Sequence, residues 1–123
     1  MPKTVAVIGA SANRQKFGNR ALRAFQAQGY TVIPINPHEA QVEGLSVFKS
    51  VLDVPGPIDM ATFYVPPAVG VRVIDEVARK GIGEVWLNPG ADGDEVVARA
   101  LALGIKPVIA CSIVGIGENP YRF

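Results

Sequence analysis

Apolar residues along the chain fall into five short runs, and the stretches between them follow a longer period. Thr4–Ile8 (TVAVI) is apolar and β-branched, as a strand covered on both faces requires. Thr31–Ile35 (TVIPI) reads the same way, although Pro34 lacks a ladder donor. Residues 59–65 (DMATFYV), Glu84–Leu87 (EVWL) and 107–110 (PVIA) complete the strand candidates. Over residues 18–28, Ala21, Leu22 and Phe25 share one helical face, with Arg20, Arg23 and Gln26 off it. Over Pro67–Lys80 the stripe is Gly70, Val73, Ile74 and Val77. Over 92–103 it is Val97, Ala100 and Leu101, with Asp92 placed to cap the helix and Glu95 completing a capping box.

Each helical pattern runs into a glycine (Gly29, Gly81, Gly104), and a strand pattern resumes two to three residues later. Glycine accepts the left-handed conformation that ends a helix. The recurring helix–Gly–strand unit predicts a parallel sheet wound by right-handed crossovers. The expected fold is α/β: a three-layer, doubly wound sheet of five parallel strands in the order 3-2-1-4-5. Residues 37–57 carry mixed sequence, read as a turn, a short strand near 46–48 and a single-turn helix. No linker or low-complexity tract interrupts the pattern, so residues 1–123 are expected to form one domain.

Composition narrows the class. The chain is 49% hydrophobic and carries a formal net charge of +1, which argues against disorder and against a general nucleic-acid or membrane-surface binder. One cysteine excludes an internal disulfide. The apolar run in MPKTVAVIGA is too short for a signal-peptide core, and no stretch approaches the ~18 apolar residues of a membrane span. A cytoplasmic protein is expected. The charge is unevenly placed: residues 1–50 carry six bases and two acids, residues 51–123 six bases and nine acids. Four of the first six bases lie between positions 14 and 23, just after the first strand. Anions sit there in many α/β folds.

Ligands of such sheets bind at the carboxyl ends of the strands, which selects three loops. In the first, residues 9–18, Gly9 permits a tight turn and the small Ala10, Ser11 and Ala12 open the main-chain amides to a ligand. The helix start near Gly18 adds a positive dipole end, and Arg14 and Lys16 add full charges. The bland alternative for both cations is a solvated loop. In the second loop, residues 64–68, Pro66 and Pro67 present flat apolar surface or simply initiate a helix. In the third, residues 88–91, Asn88 orients a ligand or makes a turn with Pro89 and Gly90. Stricter nucleotide fingerprints are missing. There is no G-x-x-x-x-G-K-[ST], and Ser11 stands where the second glycine of G-x-G-x-x-G belongs. The second strand ends in Asn36-Pro37 with no acid at its tip and Glu39 slightly beyond, which disfavours NAD.

Taken together, VAVIGAS (5–11), KFG (16–18), GYTVIPINP (29–37), EGL (43–45), FYVPP (63–67) and EVWLNPGA (84–91) resemble the CoA-binding domain family. This Rossmann-like domain also forms the N-terminal part of the succinyl-CoA synthetase alpha subunit and of related NDP-forming acyl-CoA synthetases. The resemblance implies a nucleotide-binding domain whose ligand is coenzyme A or an acyl-CoA. It implies phosphate contacts from the first loop (Gly9, Ala10, Ser11, Asn13, Arg14 and Lys16). It implies nucleotide contacts from Asn36 and Pro37, packing by Val65, Pro66 and Pro67, and contacts from Asn88 and Pro89. Many small single-domain relatives carry an Arg after the third strand and an Asp-Arg-Cys near the C-terminus, where this chain has Tyr64-Val65 and Ile109-Ala110-Cys111.

The synthetases also use a phosphorylated histidine and a nucleotide-grasping partner. The single histidine here, His38, follows the second strand outside any such context. Ligase activity is not expected of this chain alone, and no catalytic residue or metal site is expected. Cys111 reads as a small buried hydrophobe. Two alternatives stand beside non-catalytic binding: an NAD(P)-binding enzyme or sensor, and the regulatory subunit of a split acyl-CoA synthetase. A homodimer or a synthetase-like partner chain is compatible with these readings.

Overall fold

The computed structural model describes residues 2–123. Five parallel strands form its main sheet: β1 (Thr4–Ile8), β2 (Thr31–Ile35), β5 (Met60–Phe63), β6 (Glu84–Leu87) and β7 (Val108–Ile109). They lie in the order β2-β1-β5-β6-β7. Phe48 adds a single parallel bridge to Ile35 on the outer side of β2. With that bridge counted as the third strand, the expected 3-2-1-4-5 order runs from Phe48 to β6, and β7 extends it. Residues 59–65 are therefore the partner of β1 in the centre of the sheet, not an outer strand. Pro34 is accommodated because its carbonyl faces outward, accepting from the Phe48 amide at 3.1 Å. Its missing N–H faces the same outer side and costs no bond to β1.

Alternate residues of the strands serve two cores. Val5, Val7, Val32 and Met60 pack with Leu22 and Phe25 of α1 (Phe17–Ala27). Ala6, Ile8, Ala61, Phe63, Val85 and Leu87 pack with Ile74 and Val77 of α2 (Pro67–Lys80) and with Val96 and Ala100 of α3 (Asp94–Ala102). Helices thus cover both faces, which explains the unbroken apolar runs. Gly29, Gly81 and Gly104 all hold positive φ at the helix ends, as the pattern predicted.

Four details depart from the sequence reading. A hairpin of two-residue strands, β3 (Gln41–Val42) and β4 (Leu45–Ser46), stands in the mixed segment where a turn and one short strand were expected; the expected single-turn helix is present as a 3-10 turn at Val51–Asp53. Asp92 does not cap α3: its carboxylate accepts from the Gly90 amide, and Gly93 is the N-cap with no side-chain bond. The last strand is two residues long and exposed, because it forms the sheet edge. Beyond it, a one-turn helix α4 (Ser112–Gly115) packs against Trp86, so closely that a side chain at Gly115 would strike the indole. No helix among the described residues is long and apolar enough to cross a membrane.

Candidate functional site

β1 and β5 are neighbours whose crossovers leave to opposite faces of the sheet, so their carboxyl ends flank an open crevice. The turn after β1 is held by two amides, Gly9 and Ala10, that donate to the Ile35 carbonyl. Gly9 has φ +91°, and a Cβ there would sit 2.6 Å from the Tyr64 carbonyl oxygen. A Cβ on Gly18 would meet the Gly9 carbonyl oxygen. Two glycines therefore let the start of α1, the β1 turn and the β5 turn converge. The amides of Phe17 and Gly18 have no acceptor among the described residues, and the first turn of α1 carries no acid. Its positive dipole end therefore has no counter-charge from its own first turn.

A cavity of about 620 Å³ opens over this point, within the ~300–1,000 Å³ range of small-molecule sites. Of the sequence candidates, Gly9, Ser11, Lys16, Asn36, Val65, Pro66 and Pro89 line it. Phe17, Gly18, Glu39, Tyr64, Gly90 and Ala91 complete the wall. Most of these neighbour residues already singled out, and Glu39 was legible only as the acid just past the second strand. Pro37 lines a second cavity. Five candidates are placed elsewhere. Ala10 is fully buried, Asn13 and Arg14 point outside the cavity, and Pro67 is the first residue of α2. Asn88 is buried at 2% exposure and its side chain faces inward.

The inward turn of Asn88 has a structural cause. Its amide nitrogen donates to Thr62 Oγ1 at 2.7 Å and to the Phe63 carbonyl at 2.8 Å, and its Oδ1 accepts from the Ser112 amide at 2.7 Å. Ser112 Oγ in turn bonds Thr62 Oγ1 and the Tyr64 hydroxyl. The network ties the ends of β5, β6 and α4 together beneath the cleft. Burial pushes the Tyr64 phenol up to about 12, against the hydrogen bond from Ser112, which lowers it. The sequence assigned Ser112 no role; polar Thr62 within β5 and Asn88 just past β6 were the available signal.

The basic cluster of positions 14–23 is dispersed rather than gathered. Arg23 donates to Asn19 Oδ1, to the Arg14 carbonyl and to the Phe123 carbonyl. Burial first, and then the Arg14 charge, pull its guanidinium below its ordinary range. Arg20 donates to the Gln15 and Pro120 carbonyls. Arg14 lies 3.6 Å from Glu43 in an exposed pair. Lys16, the N-cap residue of α1, has no ion-pair partner among the described residues and lines the cleft. Asn36 fixes the turn after β2, donating to the Ala10 carbonyl while its Oδ1 accepts from the His38 amide. Cys111 is half-buried against the α1 core.

The sequence profile of the CoA binding domain matches residues 3–116. This chain belongs to the CoA binding domain family. As a CoA binding domain it shares 37% identity, over 98% of its length, with the alpha subunit of ADP-forming acetate–CoA ligase I of Pyrococcus furiosus, and it spans 29% of that subunit. It shares 38% identity over 90 residues with the ADP-forming acetate–CoA ligase of Methanocaldococcus jannaschii, covering 72% of this chain and 13% of the ligase. The domain thus spans less than a third of these curated relatives. Among solved structures, it matches a conserved hypothetical protein of Pyrococcus furiosus at a TM-score of 0.83 and 31% identity. That match covers 94% of this chain and 99% of the other.

Proposed function

We propose that this chain binds coenzyme A or an acyl-CoA at the crevice between β1 and β5, and that it does no chemistry on the ligand itself. The observation that carries the reading is the unpaired Lys16 beside the free amides of Phe17 and Gly18, at the mouth of a cavity with an apolar wall. The pyrophosphate belongs at the amides and the Lys16 ammonium, where it would receive charge-assisted hydrogen bonds. The flat wall of Val65, Pro66 and Pro89 suits the pantetheine arm. The membership of the domain in its family points the same way.

Titration calorimetry with CoA, acetyl-CoA, NAD, NADP and ATP tests the reading. Binding of CoA, weakened about tenfold or more in Lys16→Ala, is expected, since one charge-assisted contact contributes ~1.5–3 kcal/mol. A chain that ignores CoA at ~100 μM while binding NAD contradicts it, because this concentration would visibly stabilise a ~10 μM site.

The match over nearly the whole chain to a separately encoded alpha subunit favours a second reading. The domain would then be one component of a split acyl-CoA synthetase, with phosphoryl transfer carried by another chain. Affinity purification at native level, with and without CoA, separates the two: a stoichiometric nucleotide-binding partner supports the second, and its absence supports free-standing binding.

A further inference from the structure

The strand β7 closes the main sheet and pairs with β6 on one side only. Its two residues, Val108 and Ile109, are both apolar and both exposed, and Leu101 of α3 is exposed as well. These are three of the seven large apolar residues exposed among the described residues. A cavity of about 380 Å³ joins Ile109 to Leu101 and Val97 of α3, so the apolar surface there is continuous rather than scattered. Charge is divided between the two ends of the edge. Asp92 and Asp94 line the same cavity at the carboxyl end of the sheet, where α3 begins. Lys106 is exposed at the amino end, two residues before β7. Neither the lysine nor either aspartate has an ion-pair partner among the described residues.

We propose that β7 docks on β7 of a second copy of this chain, antiparallel, about a twofold axis normal to the sheet. An open edge offers unpaired backbone donors and acceptors to another strand. The charges choose the occupant and the direction. Antiparallel pairing of two identical edges sets Lys106 of each copy opposite the Asp92 and Asp94 end of the other. Parallel pairing would set lysine on lysine and aspartates on aspartates. The twofold also keeps both α3 helices on one side of the joined sheet, so Leu101 and Ile109 of the two copies meet. Pro107 lacks a donor, which confines the new ladder to the two strand residues. So short a contact falls below the ~1,200 Å² of a stable interface, and the expected dimer is weak, dissociating at about 10–100 μM. The crevice between β1 and β5 lies away from this edge, so pairing leaves it open and the proposal stands independently of the ligand.

Sedimentation velocity on the full chain, from about 5 to 500 μM and without ligand, tests the pairing. A reversible monomer–dimer equilibrium is expected, weakened by ~0.5 M salt because its ion pairs are at the surface. Lys106→Glu is expected to weaken the dimer about tenfold or more, and Lys106→Glu/Asp94→Lys to recover part of that loss. Leu101→Lys is expected to abolish pairing within the same range. All three sites are exposed or at a helix start, and the thermal midpoint of each dilute variant checks that the fold is intact. Amide exchange at Val108 and Ile109 is expected to slow as concentration rises, which a dimer through any other surface would not cause. A monomer across the whole range overturns the proposal. So does a dimer that ignores Lys106→Glu and Leu101→Lys, or one that leaves exchange in β7 unchanged. None of these results bears on CoA binding, which calorimetry reads separately.

Discussion

Replacing Asn88 with alanine separates a structural role from a ligand contact. The side chain makes three hydrogen bonds of 2.7–2.8 Å in a fully enclosed setting. Each contributes ~1 kcal/mol net, and a buried donor left without a partner costs ~1–3 kcal/mol. Alanine strands the Ser112 amide and the Phe63 carbonyl, whereas Thr62 Oγ1 keeps its bond to Ser112. The expected loss is about 3–5 kcal/mol, a large share of the ~5–15 kcal/mol that holds a typical domain. Urea titration with linear extrapolation measures it, and the m-value checks that the unfolded state is unchanged. CoA affinity, measured on the folded population at low temperature, should move less than about threefold, far below the loss of a direct polar contact. A stability change under ~1 kcal/mol, or a much larger loss of binding than of stability, would refute the inward clamp. Asn88→Asp sharpens the test. The carboxylate still accepts from the Ser112 amide but lies against the Phe63 carbonyl in a dry site, so its folded pKa must rise above the unfolded value. Its harm therefore grows as pH climbs past ~4 and recedes in acid.

Two further outcomes follow from the geometry. Gly18→Ala drives a methyl into the Gly9 carbonyl oxygen, so the start of α1 must shift; stability should fall by ~1–3 kcal/mol and CoA affinity by at least about tenfold, the loss of a good contact. Thermal shift and calorimetry read both, and natural affinity would show the close approach to be dispensable. The Tyr64 phenol is pushed up to about 12 in the folded chain, against ~10 unfolded. Its stability contribution is complete below the unfolded value and is lost as pH rises through the folded one. Tyr64→Phe should flatten the alkaline decline of the urea midpoint between about pH 10 and 12, and an unaltered decline would assign it to another group.

The parts of this fold set by local patterns were readable from the sequence. Continuous β-branched runs gave the central strands, and glycines with positive φ gave the helix ends. What stayed hidden depends on contacts distant in sequence. Phe48 joins the sheet through one bridge, too short to leave a periodic trace. Asp92 satisfies a capping pattern, yet the turn after Pro89 draws its carboxylate to the Gly90 amide. Asn88 is a polar residue in a loop, and nothing local distinguishes a side chain aimed at a ligand from one aimed at Ser112, 24 residues away. The glycines and the apolar wall of the cleft were legible because backbone sterics are local; the aim of its polar side chains was not.

The basic cluster shows the same division at the level of charge. Counting bases located a positive segment after β1, but a guanidinium reaches several ångströms and its partner decides its use. Arg23 spends its donors on Asn19, the Arg14 carbonyl and the C-terminal residue, and Arg20 reaches the Pro120 carbonyl. Asn19 in turn donates to the Ser11 carbonyl, so the chain's last residues brace the loop that lines the cleft. The electrostatics of the cleft thus reduce from four cations to Lys16, and the free amides beside it must supply much of the attraction for an anion. An anion held chiefly by fixed main-chain donors is bound by geometry, and salt screens such contacts less than it screens mobile surface charges. The salt dependence of CoA binding should therefore be shallower than a count of local bases suggests, because most of those bases are occupied in holding the loop.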